Sequence, residues 1–221
     1  MSLLLSLNLG TDEPNLAKDN RTGITKRPVE RAEVRAPGPK RTGAGSGLVG
    51  DFIGDTRNHG GDDQAVYAYP REDLDRWSER LGMELANGAF FGENLTTLGL
   101  DPNEALLGER WRIGEVELQV TCPRIPCSTF AARMGLRGWV KTFTAEARPG
   151  AYLRVVTPGT LVQGEPIEVV HRPDHAVTIS RCFRAETTER DLIGELETVG
   201  DDLIDELRES LTAYQRRVGT R

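Results

Sequence analysis

Cysteine is scarce in this chain: three residues in 221. An odd count in a chain of this length does not read as a disulfide framework, so a reducing cytoplasm is the expected compartment. The case for a structural zinc site is weak as well. Cys122 and Cys127 lie five apart, and no second Cys/His pair has zinc-like spacing. Long hydrophobic runs are also missing. Leu3-Leu4-Leu5 opens the chain without a basic flank, a cleavage site or the length to cross a bilayer, so neither a secretory signal nor a membrane span is expected. Phosphate-binding signatures are absent too. No Gly-Lys-Ser/Thr closes a P-loop, and Gly43-Ala44-Gly45-Ser46-Gly47 lacks the spacing and flanks of a dinucleotide-binding turn. Finally, positive charge is short overall, at net −6. It is also concentrated: Lys18–Arg41 holds eight Lys/Arg against three Asp/Glu, and Glu186–Arg221 ten Asp/Glu against five Arg. That distribution argues against a nucleic-acid binder and for one local anion site on an acidic protein.

What is present is punctuation. The 24 glycines and 12 prolines imply many turns between short elements, which favours β structure. Leu3–Leu9 reads as a first strand, Arg21–Val29 as a basic hairpin, and Val34–Gly50 as a Gly/Pro-rich loop or a poorly ordered stretch. Val66–Tyr69 is a short strand closed by Pro70. Arg71–Leu81 is a helix with Leu74, Trp77 and Leu81 on one face and Gly82 as its stop. Trp111–Val120 reads as a hairpin turning at Gly114-Glu115, and the segment from Arg133 to Ala147 as holding a helix. Ala151–Thr157 and Ile167–Val170 are further strands, separated by turns at Pro158-Gly159-Thr160 and Gly164-Glu165-Pro166. Helical spacing takes over at Val177–Glu186, Glu189–Val199 and Asp201–Val218. The expected organisation is a β-rich domain over 1–172 and a small helical bundle over 173–221.

Cys127 sits where Pro123 and Pro126 end the clearest strand, on a stiffened exit where one side chain can be aimed. Taken alone, such a cysteine is more often a small buried hydrophobe. Arg57-Asn58-His59-Gly60-Gly61 combines cationic donors with glycines that expose backbone N–H groups, a composition suited to a phosphate or a pterin-like ring. A tight turn explains the same string. Lys26 and Arg27 form a second basic pair, and Glu93-Asn94 offers an amide that could read a ring edge; a solvated charge pair and a plain turn are the bland alternatives. Cys127 with His59 or His175 could also build a cysteine hydrolase, although no orienting third group or oxyanion hole is marked.

Together these segments resemble the MOSC (molybdenum cofactor sulfurase C-terminal) domain family, in particular its stand-alone bacterial members with a three-helix tail. The likeness is carried by Thr22-Gly23-Ile24 with Lys26-Arg27-Pro28-Val29, Gly54-Asp55 with Arg57-x-His59-Gly60-Gly61, and Ala65–Pro70. It continues through Phe91–Leu95, Gly108-Glu109-Arg110, Pro123-Arg124-x-Pro126-Cys127 and Pro149–Val155, in one order from about Leu3 to Arg184. The resemblance implies a mainly β, barrel-like domain with a few peripheral helices, followed by the helical tail. It implies binding of the molybdenum cofactor in its molybdopterin form, with Cys127 as metal ligand, a role suited to a soft thiolate. Lys26, Arg27, Arg57, His59, Gly60 and Asn94 then become cofactor-binding candidates, and Tyr67 joins Cys127 as a catalytic one, with Tyr69 an alternative pocket wall. The same branch is similar to reductases of N-hydroxylated compounds, such as hydroxylaminopurines and amidoximes, which take electrons from a separate reductase; no flavin or haem motif is visible here. A non-catalytic carrier of the cofactor or its sulfur is the alternative. Two positions depart from the family pattern: Thr129, where a basic residue is expected, and Cys122, a second thiol.

Overall fold

The computed structural model describes residues 2–219. Its strands are β1 (Leu3–Gly10), β2 (Glu13–Pro14), β3 (Arg21–Thr22), β4 (Lys26–Val29), β5 (Arg31–Val34), β6 (Val66–Pro70), β7 (Leu95–Leu98), β8 (Arg110–Ile113), β9 (Val116–Pro123), β10 (Ala151–Thr157), β11 (Gly159–Val162) and β12 (Ile167–His171). The α-helices are α1 (Arg71–Leu81), α2 (Ser128–Met134), α3 (Trp139–Glu146), α4 (Ile179–Thr187) and α5 (Asp205–Gly219), with a 3₁₀ stretch over Arg190–Asp202 before α5.

Eight strands form one mixed sheet in the order β12-β8-β9-β10-β6-β7-β1-β4. Every neighbouring pair is antiparallel except β6 and β7, which α1 connects as a parallel crossover. The β8–β9 hairpin turns at Gly114-Glu115, as the switch in apolar phase predicts. The sheet curls on itself: Leu4 N–H donates to Glu165 O at 2.9 Å and Gly164 N–H to Leu4 O at 2.7 Å. It does not close into a barrel, because among the described residues no ladder joins β4 to β12. The start of β12 instead meets β1 in an isolated Leu3–Pro166 bridge, with Ile167 N–H donating to Ser2 O at 3.0 Å.

Side chains of the sheet and of the C-terminal helices share one buried cluster, from Leu4, Leu7, Trp111 and Leu118 to Ile179, Cys182, Leu196 and Leu207. A second, aromatic cluster fills the space between the sheet and α1–α3. There Trp139 meets Phe130 and Trp77 edge-on, with ring centroids 5.5 and 4.8 Å apart.

Two local expectations are corrected and two are sharpened. The basic segment Arg21–Val29 is not a hairpin: β3 pairs with β2 and β4 with β1. The expected loop over Val34–Gly50 is present and is held at its base by a Val34–Leu48 bridge and by Gly47 N–H donating to Ala65 O at 2.7 Å. The Pro158–Thr160 turn is instead the start of β11, which pairs with β5. The helix expected between Arg133 and Ala147 is α3, which carries Trp139 and Phe143; Gly135 and Gly138, with φ of +66° and +75°, separate it from α2.

Candidate functional site

Two chain segments, 21–23 and 52–54, press together with almost no side chain between them. A Cβ on Gly23 would lie 2.0 Å from Phe52 O, and one on Gly54 1.8 Å from Arg21 O. Only glycine permits that approach. The stacked backbones wall a cleft of ≈ 710 Å³, counting the part open to solvent. Its lining brings together Lys26, His59, Gly60, Tyr67, Asn94 and Cys127. Arg27 and Arg57 are not brought in; both are exposed and line no part of the cleft. His175 is remote from it, bonded to Leu107 O and Val177 N.

Cys127 occupies the residue before α2, with extended backbone angles. Burial alone would raise its thiol. Hydrogen bonding to His59, the charge of Arg124 and the Phe130 N–H outweigh burial and bring it from 9.0 down to about 6. The other two cysteines behave oppositely: both are buried, and burial pushes Cys122 up to about 12 and Cys182 well above its ordinary value. One thiol of three is therefore activated.

The residue that sequence reasoning missed is Arg124. It is 6% exposed, its guanidinium lies 3.8 Å from the centre of the Phe130 ring and 5.3 Å from that of Tyr67, and it lines the cleft. Nη1 is buried with no hydrogen-bond partner, and Arg124 has no carboxylate partner among the described residues. Its place in Pro123-Arg124-x-Pro126-Cys127, three residues before the cysteine, is the signal that could have found it.

Asp51 was missed for a different reason. Its side chain is sealed from solvent and accepts from Lys26 Nζ at 2.5 Å, Gly10 N–H at 2.6 Å, Ser46 Oγ at 2.7 Å and Asn94 Nδ2 at 3.0 Å. Lys26 and Asn94 therefore reach the cleft wall already engaged. Asn94 Oδ1 accepts from Tyr67 N–H at 3.1 Å and Nδ2 also donates to Asn8 O, so this amide braces β6, β7 and β1. Tyr67 likewise contributes its ring, because its hydroxyl donates to Pro149 O at 2.7 Å. Burial holds that hydroxyl far above its ordinary titration range. Thr129 also lines the cleft and accepts from Asn15 Nδ2 at 3.0 Å, so the position where a cation was expected carries a neutral hydroxyl.

The arrangement offers a nucleophilic, soft sulfur, a hydrogen-bonded imidazole, and a buried guanidinium with an unused donor. A metal held here would take one protein thiolate, since among the described residues no three His, Cys, Asp or Glu side chains cluster as a metal site. No helix among those residues is long and apolar enough to cross a membrane.

Comparisons with known proteins give matches to both the sequence and the fold. The MOSC domain profile matches residues 55–168. YflK of Bacillus subtilis (strain 168), an uncharacterized protein, is 35% identical over 82% of this chain and 79% of its own length. The crystal structure of YiiM from Geobacillus stearothermophilus superposes with a TM-score of 0.77 at 27% identity, covering 97% of this chain and 99% of that one. A protein of Gibberella moniliformis (strain M3125 / FGSC 7600) named Reductase is 25% identical over 84% of this chain, which spans 35% of that longer protein.

Proposed function

Because this chain belongs to the MOSC domain family, we propose that it is a molybdenum-cofactor-dependent reductase that converts N-hydroxylated compounds to amines, with Cys127 as the metal ligand. The observation that carries this reading is the single acidified thiol in the wall of the cleft, beside a buried guanidinium with no carboxylate partner and an unused Nη1 donor. The donor set fits the cofactor. A thiophilic metal that brings its own dithiolene sulfurs needs one soft protein donor, and an anionic cofactor suits an unpaired buried arginine. The reductase name of the fungal relative supports an enzymatic role.

When bound, the reduced cofactor would supply two electrons, which with two protons convert R–NHOH to R–NH₂ and water. The chain's own residues prepare the place. Pro123 and Pro126 restrict the backbone on either side of Arg124, and Phe130 N–H and His59 keep the Cys127 sulfur as thiolate at neutral pH. Arg124, held against Phe130 and Tyr67, fixes positive charge beside the sulfur without reorganisation. His59 lies at the cleft wall within hydrogen-bonding reach of Cys127 and is the group placed to hold a proton there. Electrons would arrive from a separate reductase protein.

Metal and pterin analysis after expression in a cofactor-competent host tests the reading. Molybdenum near one equivalent is expected in the wild type and little in Cys127→Ala; equal content in both overturns the metal role. A protein that loads cofactor yet reduces no hydroxylamine or amidoxime with an artificial electron donor would be a carrier instead.

A further inference from the structure

A second cleft, ≈ 540 Å³ with its open part, lies behind the first and is walled by the C-terminal helices. Asn58, His59 and Gln64 come from the glycine-rich segment, Cys122, Pro123 and Ile125 from β9 and its exit, and Tyr152 from β10. Glu186 comes from α4, Ile204 from just before α5, and Glu206 and Leu207 from its first turn. His59, Gln64 and Tyr152 line both clefts, so the two are neighbours across one layer of side chains.

Two buried acceptor atoms without partners occur on this one lining: Glu186 Oε1 and Gln64 Oε1. Glu186 Oε2 accepts from Ser210 Oγ at 3.1 Å, but no cation forms an ion pair with this carboxylate among the described residues. The neighbouring Glu206 is paired with Lys40 at 3.1 Å. Unsatisfied buried oxygens are uncommon in native structures and are generally met by a ligand, a water or an ion. The rest of the lining is mixed: Asn58, His59 and Tyr152 add polar groups, and Pro123, Ile125, Ile204 and Leu207 form an apolar side, with Ile125 48% exposed at the mouth. A cleft with an apolar side and two convergent unpartnered acceptors is the form of a small-molecule site.

We infer that this second cleft binds a compact organic cation with an apolar body and N–H donors at one end, those donors directed at Glu186 and Gln64. A planar amidinium or amino-substituted aromatic ring has this chemistry. The proposed reaction yields such amines, and calling the ligand a substrate or product rests on that reading; the binding itself does not. The assignment also gives the C-terminal helices a part in recognition, since α4 and α5 supply the carboxylate and much of the apolar wall. Burial raises the Glu186 carboxyl, against the pull of Ser210 and Arg190, with Glu206 adding to the rise. A bound cation would restore the ionised form.

The test uses metal-free full-length protein at pH 8, with benzamidine and its neutral isostere benzamide as probes, titrated by calorimetry and by methyl NMR. Benzamidine is expected to bind at least tenfold more tightly than benzamide and to move the methyl signals of Ile125, Ile204 and Leu207. Glu186→Gln is expected to remove most of that preference and Gln64→Met part of it. If Glu186→Gln does not fold, Gln64→Met and the methyl map carry the test. Equal affinity for the two probes, no binding, a preference unchanged in the variants that fold, or shifts confined to Ile24 and Ile53 of the first cleft would each overturn the assignment. Because no metal is involved, failure here is separable from failure of the reductase reading, which shows in molybdenum content.

Discussion

Alkylation of metal-free protein by iodoacetamide across pH 5–10 isolates the feature on which the site depends. A thiol at about 6 is roughly nine-tenths thiolate at pH 7, whereas one at 9.0 is roughly one-hundredth, a gain of about 90-fold. Intrinsic nucleophilicity falls as a thiol becomes more acidic. With a Brønsted slope of roughly 0.4–0.5, the same change lowers the reactivity of each thiolate by about 15- to 30-fold. The two effects nearly cancel, leaving Cys127 only about three- to sixfold faster than an ordinary exposed thiol at pH 7. The rate is therefore a poor diagnostic and the shape of the profile a good one. Labelling should rise with a midpoint near 6 and be flat from pH 7.5 upward, with one equivalent incorporated, because Cys122 and Cys182 are buried with their thiols pushed up. His59→Ala and Arg124→Met should each move the midpoint upward by removing a stabiliser of the thiolate. A wild-type midpoint at 8.5–9, or one indifferent to both substitutions, would refute the account. Stability follows the same linkage. The folded-state value lies below the unfolded one, so the thiolate's contribution is complete above pH 9. It declines as pH falls, and is lost below about 6. The urea midpoint of metal-free wild type relative to Cys127→Ala should therefore fall over that window.

Two further outcomes concern the walls of the cleft. Asp51→Ala leaves Lys26 buried without its partner and removes acceptors from Gly10, Ser46 and Asn94, and should cost about 3–5 kcal/mol in urea denaturation. Gly23→Ala drives a methyl into Phe52 O and should cost about 1–3 kcal/mol and reduce cofactor loading, whereas Gly194→Ala, whose nearest neighbour is Tyr214 at 3.5 Å, should fold normally.

Much of the sheet was legible because its hairpins carry period-two alternation and glycine turns; the parts that were not have specific causes. Alternation also bears on the basic pair. In β4 Lys26 is buried and Arg27 exposed, so one strand cannot present both to the same cleft. Arg124 escaped because β9 is buried on both faces from Leu118 to Pro123, which erases the alternation that would have marked an inward side chain. Asp51 is an acidic residue in a glycine-rich loop, and nothing local links it to Lys26, 25 positions earlier. Cys122 and Cys127 show how far local chemistry alone reaches. Both are thiols beside prolines at one strand end, yet one packs in the core shared with the helical tail and the other meets an imidazole and a guanidinium. The difference arises from residues brought in from outside the strand, His59 above all, and from the turn at Pro126 that places the two sulfurs in different surroundings. Activation of Cys127 is thus a tertiary property: the sequence names the candidate, and only the fold supplies the charges that distinguish it from its neighbour.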